Sequence, residues 1–233
     1  MKLLSIKISF LILFSIIIIA PLSAQSRYLE NGIGGSCVSW EGVVDSTGLF
    51  DMGIAASYSI GGIMDIGFQL NREIGLIENY SKVDWNYAFL YNLIIIKQTK
   101  SVPFSFQLEG SYGFSNTDSD GLQNLHFTNS GQGFQIGGLV YREFKILSSW
   151  SLLLGVEGAY RNYLYTMMDE TNPASPVIDS LNRIEDFQWG GLAAVTFRAE
   201  HWPVISLESG ICYDQNSGRI LVEPKISIIS PSY

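Results

Sequence analysis

The sequence is poor in charge, and in positive charge most of all. Of its 233 residues, 22 are acidic and only 14 are basic, which gives a formal net charge of −8 and a charged fraction of 15%; an average soluble domain has about 25%. A chain this acidic repels phosphates, and no basic cluster occurs in it. The composition therefore excludes nucleic-acid binding.

Cysteine and histidine are equally scarce, with two residues of each. Cys37 and Cys212 have neither CxxC nor zinc-type spacing, and the strands assigned below place them on segments that are not neighbours, so we expect no disulfide between them. No Gly-x-Ser-x-Gly element, phosphate-binding loop or metal-ligand spacing occurs either. We therefore expect no catalytic residues, no cofactor and no metal site.

Long apolar runs are absent after residue 24. Before that point, a short segment with two lysines leads into an uncharged apolar run that ends at Pro21. This pattern predicts a secretory signal peptide over residues 1–24, cleaved after Ala24, and one mature domain over residues 25–233. A retained anchor is the alternative, although the run is short for the ~20 residues of a spanning helix. Gln25 stands where a lipoprotein would carry its lipidated cysteine, so we expect no lipid anchor.

The mature chain instead shows an alternation with period two. Met52, Ile54 and Tyr58, for example, alternate with Asp51 and Ser57. Because successive side chains of a strand point to opposite faces, each such segment has one apolar and one polar face. The pattern recurs in about ten segments, at residues 32–44, 50–60, 64–71, 82–95, 104–114, 133–144, 150–161, 187–198, 205–213 and 220–228.

The predicted connections alternate in length. They are short at residues 60–62, 97–103, 147–149 and 200–203, and long at residues 73–81, 115–130 and 167–185. This is the layout of an outer-membrane barrel, whose short turns face the periplasm. Most segments supply the ~9–11 residues of a tilted spanning strand. Aromatic residues stand near the segment ends, at Trp40, Phe50, Trp85, Tyr112, Trp150, Tyr160, Phe187 and Phe197, and Tyr233 ends the chain.

A soluble sandwich or lipocalin-like barrel would show the same period with its apolar face inward. A soluble domain of this size would carry many Lys and Glu residues on its polar face, whereas here that face is rich in Gly, Ser, Ala, Asn and Gln. We therefore predict a closed antiparallel up-and-down transmembrane β-barrel of about ten strands, with eight or twelve as alternatives. Arg142, on the apolar face near a strand end, would snorkel to the headgroups.

The charged residues of the polar faces are then predicted to line the lumen. A structural lattice of ion pairs that fills a narrow interior is the favoured interpretation, and a selective pore or an acid/base site is the alternative. These residues are Asp51, Asp65, Lys82, Asp84, Glu109, Glu157, Arg161, Arg198, Glu208, Glu223 and Lys225.

One short fragment contains residue types that can act in catalysis. The sequence His-Phe-Thr-Asn from His126 resembles the His-x-Ser-Asn element of lipid A deacylases, which implies His126 as base and Thr128 as nucleophile. Glu143, the next acidic residue, lies fifteen extended residues away from Thr128, or roughly 50 Å at ~3.3 Å per residue, so it cannot complete a triad. Asp118 and Asp120 are similar to the aspartates of omptin-type surface proteases, and we interpret them as a solvated acidic loop.

Taken as a pattern, the mature chain resembles small outer-membrane β-barrel proteins of the OmpX and OmpW kind. The resemblance implies a non-enzymatic role in envelope integrity or in surface interaction through extracellular loops. The alternatives are a narrow pore or small-solute transporter and, second, a membrane-embedded hydrolase. The resemblance further implies a monomer in the outer membrane of a Gram-negative bacterium. Its partners would be outer-membrane lipids, lipopolysaccharide and, through the C-terminal strand, the barrel-assembly machinery.

Overall fold

The computed structural model describes residues 26–46, 50–74, 83–122, 125–169, 177–199 and 203–232; the predicted signal peptide and Tyr233 lie outside these residues. A short 3-10 turn, Ser26–Tyr28, precedes ten strands. The strands are β1 (Gly34–Asp45), β2 (Phe50–Ile60), β3 (Met64–Ile74), β4 (Val83–Ile96), β5 (Ser105–Leu122), β6 (Leu125–Lys145), β7 (Trp150–Asp169), β8 (Val177–Phe197), β9 (Val204–Asp214) and β10 (Arg219–Ser232).

The strands form one closed sheet. Each strand pairs antiparallel with the next, and β1 pairs with β10 to complete the barrel. Gly34 at the start of β1 lies opposite Ser232 at the end of β10, so both ends of the barrel sequence meet at one rim. The predicted closed, antiparallel, up-and-down barrel with ten strands is confirmed.

The alternation determines which side chains face outward. On β4, the exposed fractions of Tyr87, Phe89 and Tyr91 are 41%, 60% and 49%, whereas Ala88 and Leu90 between them are half-buried. Large apolar side chains are exposed on all ten strands. An apolar surface that continues around the whole molecule far exceeds the few hundred Å² of apolar patch on a soluble monomer. The apolar face is therefore outward, as a membrane barrel requires and a soluble barrel does not allow.

One basic residue of this outer face, Arg142, lies where the sequence suggested. Arg142 is exposed near the end of β6. Its guanidinium lies over the Phe144 ring, 4.9 Å from the ring centroid. The charge is therefore at a rim of the barrel, with its stem along an aromatic surface.

The prediction of long loops at residues 115–130 and 167–185 is wrong. Strands β5 to β8 contain 18, 21, 20 and 21 residues, and the ladder continues through most of residues 115–130 and 167–185, with Asp118 opposite Thr128, for example. The Ser, Thr, Asn and Asp residues there suggested turns, but two strands that pair with each other satisfy the same backbone groups. Within the third predicted long loop, residues 73–81, residues 75–81 lie outside the described residues.

The tight turns lie at the rim that carries both ends of the barrel. Gly61 and Gly62, between β2 and β3, have φ of 60° and 63°, which glycine adopts without steric cost. Residues 97–104 join β4 to β5, and residues 146–149 join β6 to β7. We call this rim the turn rim, and the opposite one the hairpin rim. No helix in the described part of the chain is long and apolar enough to cross a membrane.

The barrel interior is divided along its axis. Near the turn rim it holds an apolar core in which Leu139, Leu153 and Ile229 are fully buried and Tyr28 and Leu29 pack against them. Toward the hairpin rim the interior is polar and contains a cavity. The candidate site lies at the boundary between these two parts of the interior.

Candidate functional site: a plugged, acid-rich barrel interior

The segment before β1 lies inside the barrel, and we call residues 26–33 the plug. Residues 26 to 29 are all buried. The plug folds on itself through hydrogen bonds from the Leu29 amide to the Ser26 carbonyl (3.1 Å) and from the Ile33 amide to the Glu30 carbonyl (3.2 Å). The Gly32 amide donates to the Gly61 carbonyl across the first turn at 2.9 Å. The plug thus occupies the interior at the turn rim.

Asp65 of β3 holds the start of the plug. Its carboxylate accepts the Ser26 amide at 2.8 and 2.9 Å and the Ser26 hydroxyl at 3.0 Å. Asn92 of the neighbouring strand donates to the same carboxylate at 3.4 Å. The carboxyl group is almost completely buried, with 1% exposed. Since a buried carboxylate is stable only when it is hydrogen-bonded, Asp65 and Ser26 depend on each other.

Lys97 holds the plug from the turn between β4 and β5. Its ammonium donates to the carbonyls of Leu29 and, at 3.0 Å, of Gly62, with a longer contact of 3.4 Å to the carbonyl of Ser26. Burial first, and then the positive charge of Arg198, lower the pKa of this ammonium to about 8. One side chain thus joins the plug to two of the tight turns.

Arg27 carries the positive charge of the plug into the lumen. Its guanidinium lies 3.4 Å from Glu109 on β5 and 3.5 Å from Glu208 on β9. The Tyr28 hydroxyl donates to Glu208 as well. Arg27 is 8% exposed, so its charge requires these partners. The plug therefore joins opposite walls of the barrel through charge as well as shape.

Beyond Arg27 the lumen opens into a cavity of about 680 Å³. Its polar lining includes Gln69, Asn71 and Asn86. The charged residues of the lining comprise six carboxylates, Glu41, Asp51, Glu109, Glu157, Glu208 and Glu223, and four cations, Arg27, Arg161, Arg219 and Lys225. The cavity is thus net acidic when all of these groups are ionised, and it favours cations.

Several of these charges are paired across strands. Lys225 on β10 forms an ion pair with Glu41 on β1, and Gln69 on β3 donates to the same carboxylate at 2.7 Å. Arg161 on β7 donates to the Gln135 side chain on β6 at 3.1 Å. Such contacts fix neighbouring strands in register while they neutralise part of the buried charge.

The residues predicted from sequence to face the lumen divide into three groups. Seven line the cavity: Asp51, Glu109, Glu157, Arg161, Glu208, Glu223 and Lys225. Asp65 lies deeper, under the plug, and Arg198 follows the last residue of β8 and pairs with Glu143 at 2.7 Å near the turn rim. Lys82 lies outside the described residues, and so does the side chain of Asp84.

Sequence reasoning missed the plug and its cations. Arg27, Glu41, Lys97 and Arg219 were not among the predicted lumen residues. One signal could have indicated Arg27: the predicted polar faces hold more acidic than basic residues, and Arg27 is the first basic residue after the predicted cleavage site. A buried acid excess requires a cation from elsewhere.

The suggested hydrolase residues do not form a triad. Thr128 and Glu143 lie on the same strand, β6, fifteen residues apart, or roughly 50 Å at ~3.3 Å per residue. Glu143 instead accepts hydrogen bonds from Arg198 at 2.7 Å and from the Ser151 hydroxyl at 2.6 Å. The side chains of His126, Thr128, Asp118 and Asp120 lie outside the described residues.

The two cysteines, which are the only ones in the sequence, are free and buried. Cys37 lies on β1 and Cys212 on β9, with β10 between them. The sequence-based expectation that they lie on strands that are not neighbours is therefore correct, and they form no disulfide.

Solved structures similar to the chain include three bacterial proteins. The translocator domain of the autotransporter NalP from Neisseria meningitidis aligns with a TM-score of 0.51 at 10% identity, over 87% of this chain and 89% of that one. Neisserial surface protein A aligns with a TM-score of 0.33 at 11% identity, over 85% and 95%. Ail, the attachment invasion locus protein of Yersinia pestis, solved with the heparin analogue sucrose octasulfate, aligns with a TM-score of 0.34 at 8% identity, over 87% and 100%.

No family model and no curated protein matches the chain. The ten-stranded closed barrel, its outward apolar face and the likeness to the NalP translocator domain together define the class. The chain has the fold of a small outer-membrane β-barrel protein.

Proposed function

We propose that the chain is a non-enzymatic barrel of the outer membrane that presents an interaction surface on its hairpin rim. In this proposal residues 1–24 direct export and are removed, the turn rim faces the periplasm, and the hairpin rim faces outward. The mature protein is a monomer that contacts outer-membrane lipids and lipopolysaccharide. The barrel-assembly machinery recognises its C-terminal strand.

The observation that carries the proposal is the length of four neighbouring strands. At ~3.3 Å per residue and a tilt of about 40°, an 11-residue strand rises about 28 Å, close to the ~25 Å apolar band of such barrels, whereas 21 residues rise about 53 Å. Strands β2, β3 and β9 have 11 residues, and β6 and β8 have 21. Strands β5 to β8 thus continue as a sheet beyond the height that the membrane requires.

This extension has the form of a surface for recognition. Strand β8 pairs with β9 only from Gln188 onward, so the part of β8 before Gln188 borders the extension without a β9 partner. Polar residues dominate the sequence of the extension, as in Ser-Asn-Thr-Asp-Ser-Asp from Ser115 on β5. A partner that binds an ordered, projecting sheet loses less conformational entropy on binding than a complex with a flexible loop does, because the sheet is already ordered. The extension therefore supports a surface-interaction role more than a purely structural one.

Single-cysteine labelling tests the placement. With both native cysteines replaced by serine, Gln123→Cys places a thiol between β5 and β6, and Lys100→Cys places one in the turn between β4 and β5. A membrane-impermeant maleimide should label Gln123→Cys on intact cells and Lys100→Cys only after the outer membrane is permeabilised. The reverse pattern, or no label at either site in intact cells, contradicts the proposal.

A shortened barrel tests the role. Positions 119 and 127 lie opposite each other, so residues 120–126 can be replaced by a two-residue turn. The variant should still migrate as a heat-modifiable barrel and restore detergent resistance to a deletion strain. Proteoliposomes that carry it should bind bacterial or host-cell surfaces less than those with the full chain. Equal binding by both leaves only the structural role and refutes the surface role.

A narrow cation pore is the second candidate, because the acid-rich cavity of about 680 Å³ favours cations. In the structure the plug lies between this cavity and the turn rim. The full chain should therefore show no discrete conductance in a planar bilayer, and deletion of residues 26–31 should produce cation-selective steps. Discrete conductance steps from the full chain would favour the pore function over the surface-interaction role.

A further inference from the structure

We propose that Glu157, Cys212 and Glu223 bind a single divalent transition-metal ion of the zinc kind inside the barrel. The three side chains come from β7, β9 and β10. One ligand atom from each, a carboxylate oxygen or the Sγ atom, lies within 4.8 Å of the other two. The Cys212 thiol donates to the Glu157 carboxylate at 3.0 Å.

Two glycines border the three proposed ligands, and one of them is required for the convergence. In the ladder, Gly190 of β8 lies between Glu157 and Cys212, and a Cβ at this position would be 2.8 Å from the Cys212 sulfur. Gly210 of β9 lies opposite Glu223, and a Cβ there would be 3.5 Å from a Glu157 oxygen and 3.6 Å from a Glu223 oxygen. A side chain at position 190 would displace the Cys212 sulfur, whereas a Cβ at position 210 would make only ordinary van der Waals contact with the two carboxylates.

The donor set fits zinc chemistry. Thiolate and carboxylate bind Zn²⁺ at ~2.3 Å and ~2.0–2.2 Å, so neighbouring ligand atoms of a tetrahedral site are about 3.5 Å apart. Starting from separations of at most 4.8 Å, the ligand atoms need to move by about an ångström to reach this geometry. Three protein ligands leave the fourth position open for water, and binding releases the thiol proton to the solvent.

A second, independent feature points to a bound ligand. Gln188 of β8 is 4% exposed, and its side-chain amide nitrogen has no hydrogen-bond partner. Gln188 lines the same small cavity, of about 110 Å³, as the three proposed ligands. A buried donor without an acceptor costs about 1–3 kcal/mol. A water molecule on the fourth metal position would place an oxygen acceptor in this cavity.

The charge around the small cavity also favours a cation. Its charged lining consists of the carboxylates Glu109, Glu157 and Glu223 and the guanidinium of Arg161. A divalent ion balances this excess, which is costly in a buried site. The small cavity shares Glu157, Arg161 and Glu223 with the larger one. An ion can therefore enter from the hairpin rim while the plug stays in place.

The test uses the full mature chain folded in detergent, with Zn²⁺ and Cd²⁺ as probes. Cd²⁺ titration should produce a thiolate-to-cadmium charge-transfer band that saturates at one ion per chain, and Zn²⁺ should suppress it. Cys212→Ser should abolish the band, whereas Cys37→Ser, a change at the other buried thiol, should leave it unchanged. Glu157→Gln and Glu223→Gln should each weaken Zn²⁺ binding by at least about tenfold.

A measurement on the unmodified protein covers a variant that fails to fold. Zn²⁺ should slow alkylation of Cys212 at least about tenfold and leave the alkylation rate of Cys37 unchanged, as read from the two peptides by mass spectrometry. Three results overturn the proposal: no Zn²⁺ binding below millimolar concentration, a cadmium band that survives Cys212→Ser, or equal protection of both cysteines.

Discussion

Replacement of Asp65 by asparagine should free the plug while the barrel remains folded. Asp65→Asn keeps the shape of the side chain, but it removes the charge and replaces one acceptor oxygen by a donor that faces the Ser26 amide and hydroxyl. These two groups now donate to the carboxylate at 2.8–3.0 Å. The barrel wall itself is closed by ladder hydrogen bonds that the substitution does not touch.

The magnitude follows from these bonds. Two donors to a charged acceptor contribute about 1.5–3 kcal/mol each, and one neutral bond of about 1 kcal/mol is retained, so the plug loses about 2–5 kcal/mol. At 1.4 kcal/mol per factor of ten, its opening constant should rise about 30- to 4,000-fold. Local opening of this kind is visible without global unfolding.

Hydrogen exchange read by mass spectrometry measures this opening. Peptides from residues 26–33 should exchange faster in Asp65→Asn by that factor, while peptides from β6 and β7 keep their protection. Asp51→Asn is the matched control, since Asp51 lies on the neighbouring strand β2, at its hairpin-rim end, and lines the open cavity. If both variants accelerate hydrogen exchange in the plug equally, or if neither does, the Asp65 carboxylate does not hold the plug.

Three further predictions test other parts of the molecule. Lys97 should titrate near pH 8 in lysine-selective ¹³C NMR, and the shifted resonance should be absent in Lys97→Arg. Since its pKa is lowered from 10.5 to about 8, the plugged state binds fewer protons than the open state between these two pH values. The free energy of plug closure, measured by hydrogen exchange, should therefore increase as pH rises from about 8 to 10.5 and be smaller below pH 8. Gly62→Ala should destabilise the folded barrel in urea by more than Gly61→Ala, because both have positive φ but only the Cβ at 62 meets a plug carbonyl, at 2.3 Å; equal losses would contradict this. Phe89→Lys, at the middle of β4, should cost about 2–4 kcal/mol in lipid vesicles if that face contacts hydrocarbon, and unchanged stability would argue against lipid contact.

The barrel could be predicted because its signal is local. On β4, each outward aromatic such as Phe89 is separated from the next by one inward residue, and this alternation needs no knowledge of the rest of the fold. Ten such segments and an even strand count are enough to predict a closed antiparallel sheet with both ends at one rim. The ladder from Gly34 to Ser232 that closes the sheet follows from that count.

The strand ends could not be predicted, because pairing decides them. Residues such as Asn116 and Thr117 favour turns by composition, and they extend β5 because they pair with β6 on one side and with β4 on the other. The plug escaped prediction for a similar reason. Arg27 meets Glu109 and Glu208, which are 82 and 181 residues further along the chain, and no local pattern joins them.

The division of the interior explains how an acid-rich lumen and a stable barrel coexist. Buried carboxylates destabilise a fold unless they are paired, hydrogen-bonded or hydrated. At the turn rim the plug supplies donors to Asp65 and a guanidinium to Glu109 and Glu208, and an apolar core surrounds it. Toward the hairpin rim, Glu157 accepts a hydrogen bond from the Cys212 thiol, and both Glu157 and Glu223 line the open cavity, where water can solvate them. The acids near the plug are thus committed to structure, and those beyond it are available to bind a cation.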